Sequence, residues 1–250
     1  MEKALNIHLE PTVLTHLFGL PLTNTLITTV VVSACLIAFA FVAGRRLSLV
    51  PGKGQVMLEA LISFPHSFIR ETLDNNDKLV RWAYPLIMTI FIFILTANWF
   101  GLLPFVGAIG VIGEYHGQET FLPLFYPINT DLNVTLALAL IAFFAIEIAG
   151  IITLGLLKYG GKFVTFKSPI AFVVGIIELF SELARLISFS FRLFGNIFAG
   201  KVLIMVAIAF VPLFLPIPLL AFELFVGFIQ AAIFALLTLF FIKIAVAEPH

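Results

Sequence analysis

The stretch that decides the fold covers residues 170–210 and reads IAFVVGIIELFSELARLISFSFRLFGNIFAGKVLIMVAIAF. This mainly apolar run is longer than the ~20 residues that a helix needs to cross the hydrocarbon core of a bilayer. On a helix with 100° per residue, six of its polar residues share a sector about 120° wide. These residues, called the polar stripe below, are Glu178, Glu182, Arg185, Ser188, Arg192 and Asn196. The stretch therefore predicts a membrane helix with one polar side.

Arg192 is the most unusual residue of the polar stripe. A charge at the centre of a membrane helix costs ~2.5–3.5 kcal/mol, and arginine does not lose its proton. No acid lies three or four residues from Arg192, whereas Glu182 and Arg185 have the spacing of an intrahelical pair. For that pair, simple helix stabilisation is as good an interpretation as a role in ion transport. The partner of Arg192 must come from another helix or another chain.

The composition of the whole chain indicates the same class of protein. Of the 250 residues, 61% are hydrophobic and 11% are charged, with a formal net charge of zero. A soluble domain has about a quarter charged residues, so this chain has too little polar surface for water. We expect one all-α integral membrane domain over residues 1–250. No block of like charge favours nucleic acid, and we expect no metal and no cofactor.

Five apolar stretches are long enough to be membrane helices. They cover residues 25–44, 85–104, 132–157, 170–210 and 218–246. Prolines between the last two predict a long, tilted antiparallel hairpin. Residues 55–73 mix apolar side chains with charged ones, which is typical of an amphipathic helix at the membrane interface. Residues 1–24 lack the apolar core of a signal peptide, and we expect them to lie outside the membrane.

The loops between these spans differ in charge. Basic residues cluster after the first span and after the third span, whereas the loop over residues 105–131 has no lysine or arginine. The basic residues are Arg45, Arg46, Lys53, Arg70, Lys78, Arg81, Lys158, Lys162 and Lys167. By the positive-inside rule, the amino terminus is outside and the carboxyl terminus is cytoplasmic.

Polar residues on the other spans extend the candidate ion pathway. Glu223 and Gln230 lie about two turns apart on the last span and point the same way to within roughly 20°. Asp131 and Glu147 add carboxyl groups at the third span. For Glu147, a local hydrogen bond is the commoner role. Lys201 lies on the opposite side of its helix from Arg192.

Several motifs resemble those of one family. The segment SFSFRLFGNIFAG at residues 188–200 resembles the signature of subunit a of the F-type ATP synthase. The last span carries Gln230 within IQAAIFALLT, which is also similar to that family. The segments PLTNT at 21–25, VPGKGQ at 50–55 and DLNVTL at 131–136 follow in the family's order. The resemblance covers essentially the whole chain.

The resemblance implies a non-enzymatic stator subunit of a rotary ATP synthase. Its partners would be a ring of hairpin subunits with one intramembrane carboxylate each, the membrane helices of a peripheral stalk, and the lipid bilayer. It implies two half-channels for H⁺ (or Na⁺) and a bacterial inner membrane, with an organelle inner membrane as the alternative. Positions that match the family's pattern are Arg192 (its indispensable arginine), Asn196, Gln230, Glu178, Arg185 and Ser188.

Three positions depart from the family's usual pattern. Lys201 stands where many relatives have Glu or His, and Leu186 replaces a frequent proline. Glu223 occupies a position that is often His or an acid. Because Lys201 and Glu223 have opposite charges, we expect an ion pair or shared ordered water between them. The alternative is that Lys201 extends to the outer interface.

Two other functions compete with that of a stator. A secondary ion-coupled transporter usually has internal repeats and broken spans in matching positions. This chain has no evident repeat, and only its last two spans are strongly polar. A purely structural anchor leaves the polar stripe unexplained. The sequence therefore favours the stator subunit.

Overall fold

The computed structural model describes residues 11–17, 19–45, 48, 51–115, 118–163, 169–212 and 214–247. The described residues form seven α-helices, two hairpins of short strands and one 3₁₀ turn. The helices are α1 (Asn24–Arg45), α2 (Lys53–Thr72), α3 (Asp77–Phe100), α4 (Leu132–Leu154), α5 (Leu156–Phe163), α6 (Pro169–Phe210) and α7 (Pro216–Val246). The antiparallel strand pairs are β1 (Val13–Leu17) with β2 (Leu20–Thr23), and β3 (Gly110–Tyr115) with β4 (Gln118–Pro123). The 3₁₀ turn covers Ile128–Thr130.

Five of the helices have the length and composition of membrane spans. They are α1, α3, α4, α6 and α7. Helix α2 is amphipathic and exposes large apolar residues such as Met57 and Phe64. The last two spans form a hairpin. The predicted fold class is therefore confirmed, and the chain is a multi-pass membrane protein.

The second span begins eight residues earlier than predicted. The carbonyl oxygen of the Asn76 side chain accepts a hydrogen bond from the backbone N–H of Leu79 at 3.3 Å, as a helix N-cap does. Asp77 then places a negative charge in the first turn of α3, where the helix dipole favours it. Pro85 lies inside the helix instead of at its start. The strands and α5 were not predicted.

The chain divides into two compact units. Unit 1 comprises residues 1–49, 92–134 and 193–231, and unit 2 comprises residues 50–91, 135–192 and 232–250. The polar stripe is divided between them, since Arg192 belongs to unit 2 and Asn196 to unit 1. The single membrane domain over residues 1–250 stays a prediction.

Unit 1 combines an apolar cluster with buried side-chain hydrogen bonds. Val32, Ala97 and Ile128 form the centre of the cluster. The Nδ2 group of Asn129 donates to Asn98 Oδ1 at 2.7 Å, and Asn98 Nδ2 donates to the Gly227 carbonyl at 2.9 Å. These bonds connect the 3₁₀ turn, α3 and α7. Inside a membrane, such bonds and close packing hold helices together, because the hydrophobic effect contributes little to the association of helices in lipid.

Unit 2 packs the first part of α6 against the second part of α7. The Phe189 ring lies 4.9 Å from that of Phe234 and 5.6 Å from that of Phe241, between centroids. The hydroxyls of Thr135 on α4 and Ser190 on α6 are hydrogen-bonded at 3.2 Å. The side of α6 that carries Ser190 therefore faces protein, and this leaves another side for the polar stripe.

Candidate functional site

Arg192 is exposed on α6. Its guanidinium donates a hydrogen bond to Ser188 Oγ at 3.2 Å, one turn earlier on the helix. Across the described ranges, no acidic side chain forms an ion pair with Arg192. Neither α6 nor any other described helix supplies an acid partner for Arg192.

A groove in unit 2 runs along the polar stripe to Arg192. Its volume is about 270 Å³. Its lining includes Ser181, Arg185, Ser188, Arg192, Leu237 and Phe241. The α6 side of the groove thus presents two hydroxyls and two guanidinium groups. The α7 side presents apolar side chains. Such a groove offers water and protons a polar surface beside Arg192.

Arg185 differs from Arg192 in having partners within the chain. Its Nη1 lies 2.6 Å from Glu182 Oε2, and its Cζ lies 3.9 Å from the centroid of the Phe241 ring. Glu182 is buried. The structure therefore forms the pair that the spacing of Glu182 and Arg185 predicted, whereas their role in ion transport stays a prediction.

Helix α5 places Lys162 beside two carboxylates of the polar stripe, Glu178 and Glu182. Lys162 Nζ lies 2.9 Å from Glu178 Oε1 and 3.8 Å from Glu182 Oε1. The sequence indicated Lys162 only as a basic loop residue that orients the membrane spans. The amphipathic pattern of residues 156–163 could have indicated this contact, because it places Lys162 and Tyr159 on one side of a short helix.

Glu147 on α4 forms a local hydrogen bond, which is the commoner role of such a residue in the sequence prediction. The Tyr159 hydroxyl donates to Glu147 Oε2 at 2.9 Å. The ring of Tyr159 lies against Gly150, where an added Cβ would overlap with it. Burial, and secondly the charge of Glu147 and the bond to it, raise the pKa of the Tyr159 hydroxyl above its ordinary value. Tyr159 therefore stays a hydrogen-bond donor at neutral pH.

Unit 1 contains a larger cavity, of about 650 Å³. Polar residues from three spans and from the loop line it. They include Asn98, Thr120, Tyr126, Lys201 and Glu223. Glu223 is 6% exposed, and its carboxyl group lies against the backbone at Gly200. The cavity therefore brings together the two residues whose pairing the sequence predicted.

Lys201 and Glu223 nevertheless form no direct ion pair in the described structure, so that part of the prediction was wrong. The Lys201 ammonium lies 3.1 Å from the centroid of the Tyr126 ring. Its nitrogen atom is buried and has no hydrogen-bond partner among the described residues. A cation over an aromatic face is stabilised by the ring's quadrupole, which replaces part of the missing pairing energy. Ordered water shared with Glu223 stays a prediction.

Tyr126 is held in place by the chain around it. Its backbone N–H donates to Thr28 Oγ1 at 3.0 Å. Burial raises the pKa of its hydroxyl above the ordinary value, so the ring stays uncharged at neutral pH. An uncharged ring can accept the Lys201 ammonium on its face. The sequence reasoning missed this contact because no spacing rule links a loop tyrosine to a helix seventy-five residues later.

The remaining predicted site residues lie in unit 1. Asn196 is exposed on α6, and Gln230 is buried on α7. Asp131 is also buried, and its carboxylate accepts hydrogen bonds from Thr25 Oγ1 at 2.6 Å and from the backbone N–H of Asn133 at 2.9 Å. These contacts give Asp131 a place in the packing of α1 against the 3₁₀ turn. Its role in an ion pathway stays a prediction.

Comparison with known proteins identifies the family. The profile of the ATP synthase A chain family matches residues 25–243. The chain belongs to this family. Family members named "ATP synthase subunit a" include that of Moorella thermoacetica, which is 31% identical over 94% of this chain and 96% of its own length. That of Gloeobacter violaceus is 38% identical over 91% and 85%, and that of Mycobacterium ulcerans is 35% identical over 91% and 89%. The suspected family is therefore confirmed.

Proposed function

We propose that this chain is the stator subunit of an ATP synthase and that the positive charge of Arg192 makes the carboxylic acids of a rotating ring release their protons. The observation that carries the proposal is that Arg192 is exposed, charged and without an acid partner in the described part of the chain. A permanent cation in a membrane helix requires a counter-charge. In this family member, the counter-charge is a carboxylate that another chain presents to the exposed side of α6.

The chemistry at Arg192 follows from elementary electrostatics. A nearby cation favours the ionised form of a carboxylic acid. A ring carboxylic acid that arrives protonated from the lipid therefore releases its proton when it comes close to Arg192. Each charge that crosses the membrane gains ~2.3 kcal/mol per 100 mV, which biases the rotation in one direction. The ring's own carboxylate site sets the choice between H⁺ and Na⁺.

The two cavities are the proposed half-channels. The cavity of unit 1 is lined by Thr120 and Tyr126 from the acidic loop, which supports an access path from the outer side. The groove of unit 2 follows Ser188, Arg185 and Ser181 along α6, which supports an exit path toward the basic loops. The positive-inside rule makes those loops cytoplasmic. The amino terminus is then outside and the carboxyl terminus is inside.

The proposal also defines location and partners. The relatives compared above are bacterial proteins, which supports a bacterial inner membrane as the location. The chain works with the ring and with the membrane helices of a peripheral stalk. It catalyses no bond chemistry itself, because ATP formation belongs to other subunits of the complex. An organelle inner membrane is the alternative location.

The test is replacement of Arg192 in the assembled complex. We expect Arg192→Ala to abolish ATP synthesis driven by an ion gradient while the subunits still assemble. Arg192→Lys fails as well, because lysine can lose its proton and lacks the planar guanidinium. The matched control is Arg81→Ala, since Arg81 is exposed and its side chain donates to a backbone carbonyl in its own helix. Near-normal synthesis by the alanine variant at Arg192 contradicts the proposal.

A second measurement separates the stator from a transporter. The purified chain is reconstituted alone in vesicles, and ion flux is measured under a membrane potential. A stator subunit without its ring has no moving carboxylate and carries no steady ion flux. Sustained coupled transport by the isolated chain supports the secondary transporter instead.

A further inference from the structure

Among the described residues of unit 2, six titratable side chains are joined by contacts into one network at the end of the polar stripe. They come from α4, α5 and α6, and they are Glu147, Tyr159, Lys162, Glu178, Glu182 and Arg185. A polar network inside a membrane is costly unless its charges balance. The balance of this network therefore indicates which of its groups carries a proton.

The two cations of the network are occupied by two of its three carboxyl groups. Lys162 contacts Glu178 at 2.9 Å and Glu182 at 3.8 Å. Arg185 contacts Glu182 at 2.6 Å. If all five charged groups were ionised, one negative charge would remain. The carboxyl group outside these ion pairs is that of Glu147.

The surroundings of Glu147 suit a neutral carboxylic acid. Its Oε2 accepts the hydrogen bond from Tyr159, and its Oε1 is buried without a partner among the described residues. The charged groups that act on it are Glu182 and Arg185 of α6 and Lys162 of α5. Of these, both cations are already paired. Glu147 is a half-buried residue with one buried oxygen that has no partner, and no described cation is free to pair with it, so its ionised form is disfavoured.

We propose that Glu147 holds the one exchangeable proton of this network and is the last proton acceptor inside the membrane on the exit path. This inference rests on the proposed function. The Glu147 carboxylate takes a proton from a hydronium ion that comes through the groove, which reaches the network at Arg185. An O–H bond of the hydronium ion breaks, an O–H bond forms on Oε1, and a water molecule is left. The acid later gives this proton to water on the side of the basic loops. Tyr159 positions the carboxyl group by donating to Oε2 in both forms.

The direct test is infrared spectroscopy on the assembled complex. A protonated carboxylic acid has a carbonyl-stretch band that a carboxylate lacks and that shifts in D₂O. We expect Glu147→Gln to remove one such band. The matched control is Glu59→Gln, because Glu59 is exposed on α2 and accepts a hydrogen bond from Gln55; this change leaves the band in place. An unchanged spectrum in Glu147→Gln overturns the inference.

Tyr159→Phe gives an independent readout that keeps Glu147 in the protein. Loss of the hydrogen bond to the carbonyl oxygen shifts the Glu147 band to higher wavenumber without removing it. If Glu147→Gln does not assemble, Tyr159→Phe still tests whether the protonated group is Glu147. A band at its original position in Tyr159→Phe shows that the protonated group is not Glu147.

Ion flux links the network to the proposed function. We expect Glu147→Gln to slow proton flux by roughly 10²-fold, the lower end of the contribution of a general acid or base. The Glu147 band persists in Arg192→Ala, since that change leaves the network intact. Failure of the stator function therefore shows in the Arg192 variant, and failure of this inference shows in the spectra and flux of the Glu147 variant.

Discussion

The carboxyl group of Glu223 on α7 fills the space beside Gly200 on α6 that a methyl group would occupy. A methyl group at residue 200 would therefore have to displace the carboxyl group of Glu223 from its position. Glu223 is buried here while it still borders the large cavity of unit 1. A small residue at a helix contact is a common device in membranes, where backbones approach closely at glycine.

We expect Gly200→Ala to destabilise the protein although alanine favours helix. Forcing an extra group into a packed contact costs about 1–3 kcal/mol, which outweighs the up to ~1 kcal/mol that alanine gains over glycine in a helix. Thermal unfolding in detergent, followed by tryptophan fluorescence, measures the change. Gly195→Ala on the same helix is the control, because nothing among the described residues lies within 4 Å of its added Cβ. Combining Gly200→Ala with Glu223→Ala restores stability; no rescue contradicts the contact.

Glu182→Gln should be among the most destabilising single changes in unit 2. It leaves Arg185 and Lys162 with a neutral amide, and breaking a buried ion pair typically costs about 3–5 kcal/mol. The Glu182 side chain is 4% exposed and that of Arg185 is 16% exposed. The comparison is Asp77→Asn, which breaks the exposed Arg70–Asp77 bridge at 3.3 Å and costs less than about 1 kcal/mol. Equal losses of thermal stability in both variants argue against a buried pair.

A double-mutant cycle should couple Lys201 to Tyr126 and not to Glu223. Replacing Tyr126 by Leu removes the aromatic face, and we expect a coupling of about 0.5–2 kcal/mol with Lys201→Met. The changes Lys201→Met and Glu223→Gln should be nearly additive in stability, since no ion pair joins these two side chains in the described structure. Tyr126→Phe is the control, because it keeps the ring. Strong coupling of Lys201 to Glu223, together with no coupling to Tyr126, contradicts this prediction and supports the ion pair that the sequence predicted.

Cysteine labelling tests the proposed half-channels. We expect single cysteines at Asn196, Glu223 and Gln230 to react with a small water-soluble thiol reagent in the assembled complex, because polar groups at membrane depth line ion paths. The background is Cys35→Ser, since the chain's single cysteine is exposed on α1. A cysteine at the exposed apolar residue Phe225 is the lipid-facing control and stays unreactive. Inert cysteines at all three polar sites assign these residues to helix packing.

Membrane spans were predictable because lipid leaves so few solutions. A backbone in hydrocarbon must satisfy its own hydrogen bonds, so a long apolar run such as residues 132–157 predicts a helix. The helix nevertheless ends three residues earlier than predicted, at Leu154, because Gly155 takes a positive φ of 85°. The start of α3 was less predictable. Pro85 resembles a first-turn residue, a position that proline favours, yet the helix begins at Asp77 behind its Asn76 cap. The charged residues of that first turn have the composition of a loop.

The hairpin of β3 and β4 could not be predicted from the sequence, for a different reason. Strands β3 and β4 pair over only six residues each, and neighbouring apolar residues such as Val111 and Ile112 are both exposed. This pattern lacks the alternation that marks a strand with one buried face. The position of Tyr126 beyond this hairpin then determines where the Lys201 ammonium lies. A helical wheel gives the direction of Lys201 on α6, but it does not show what covers it.

Helix α6 has a mechanical consequence for a subunit that faces a turning partner. Its 42 residues span about 63 Å, roughly twice the ~30 Å of the hydrocarbon core, and no proline interrupts it after its first residue. Sharp bends in helices arise mainly at proline. Arg192 lies near the middle of this continuous helix, so backbone hydrogen bonds hold the turns on both sides of it. In the proposed stator, these bonds oppose local unwinding of the helix when a ring carboxylate pulls on the Arg192 guanidinium.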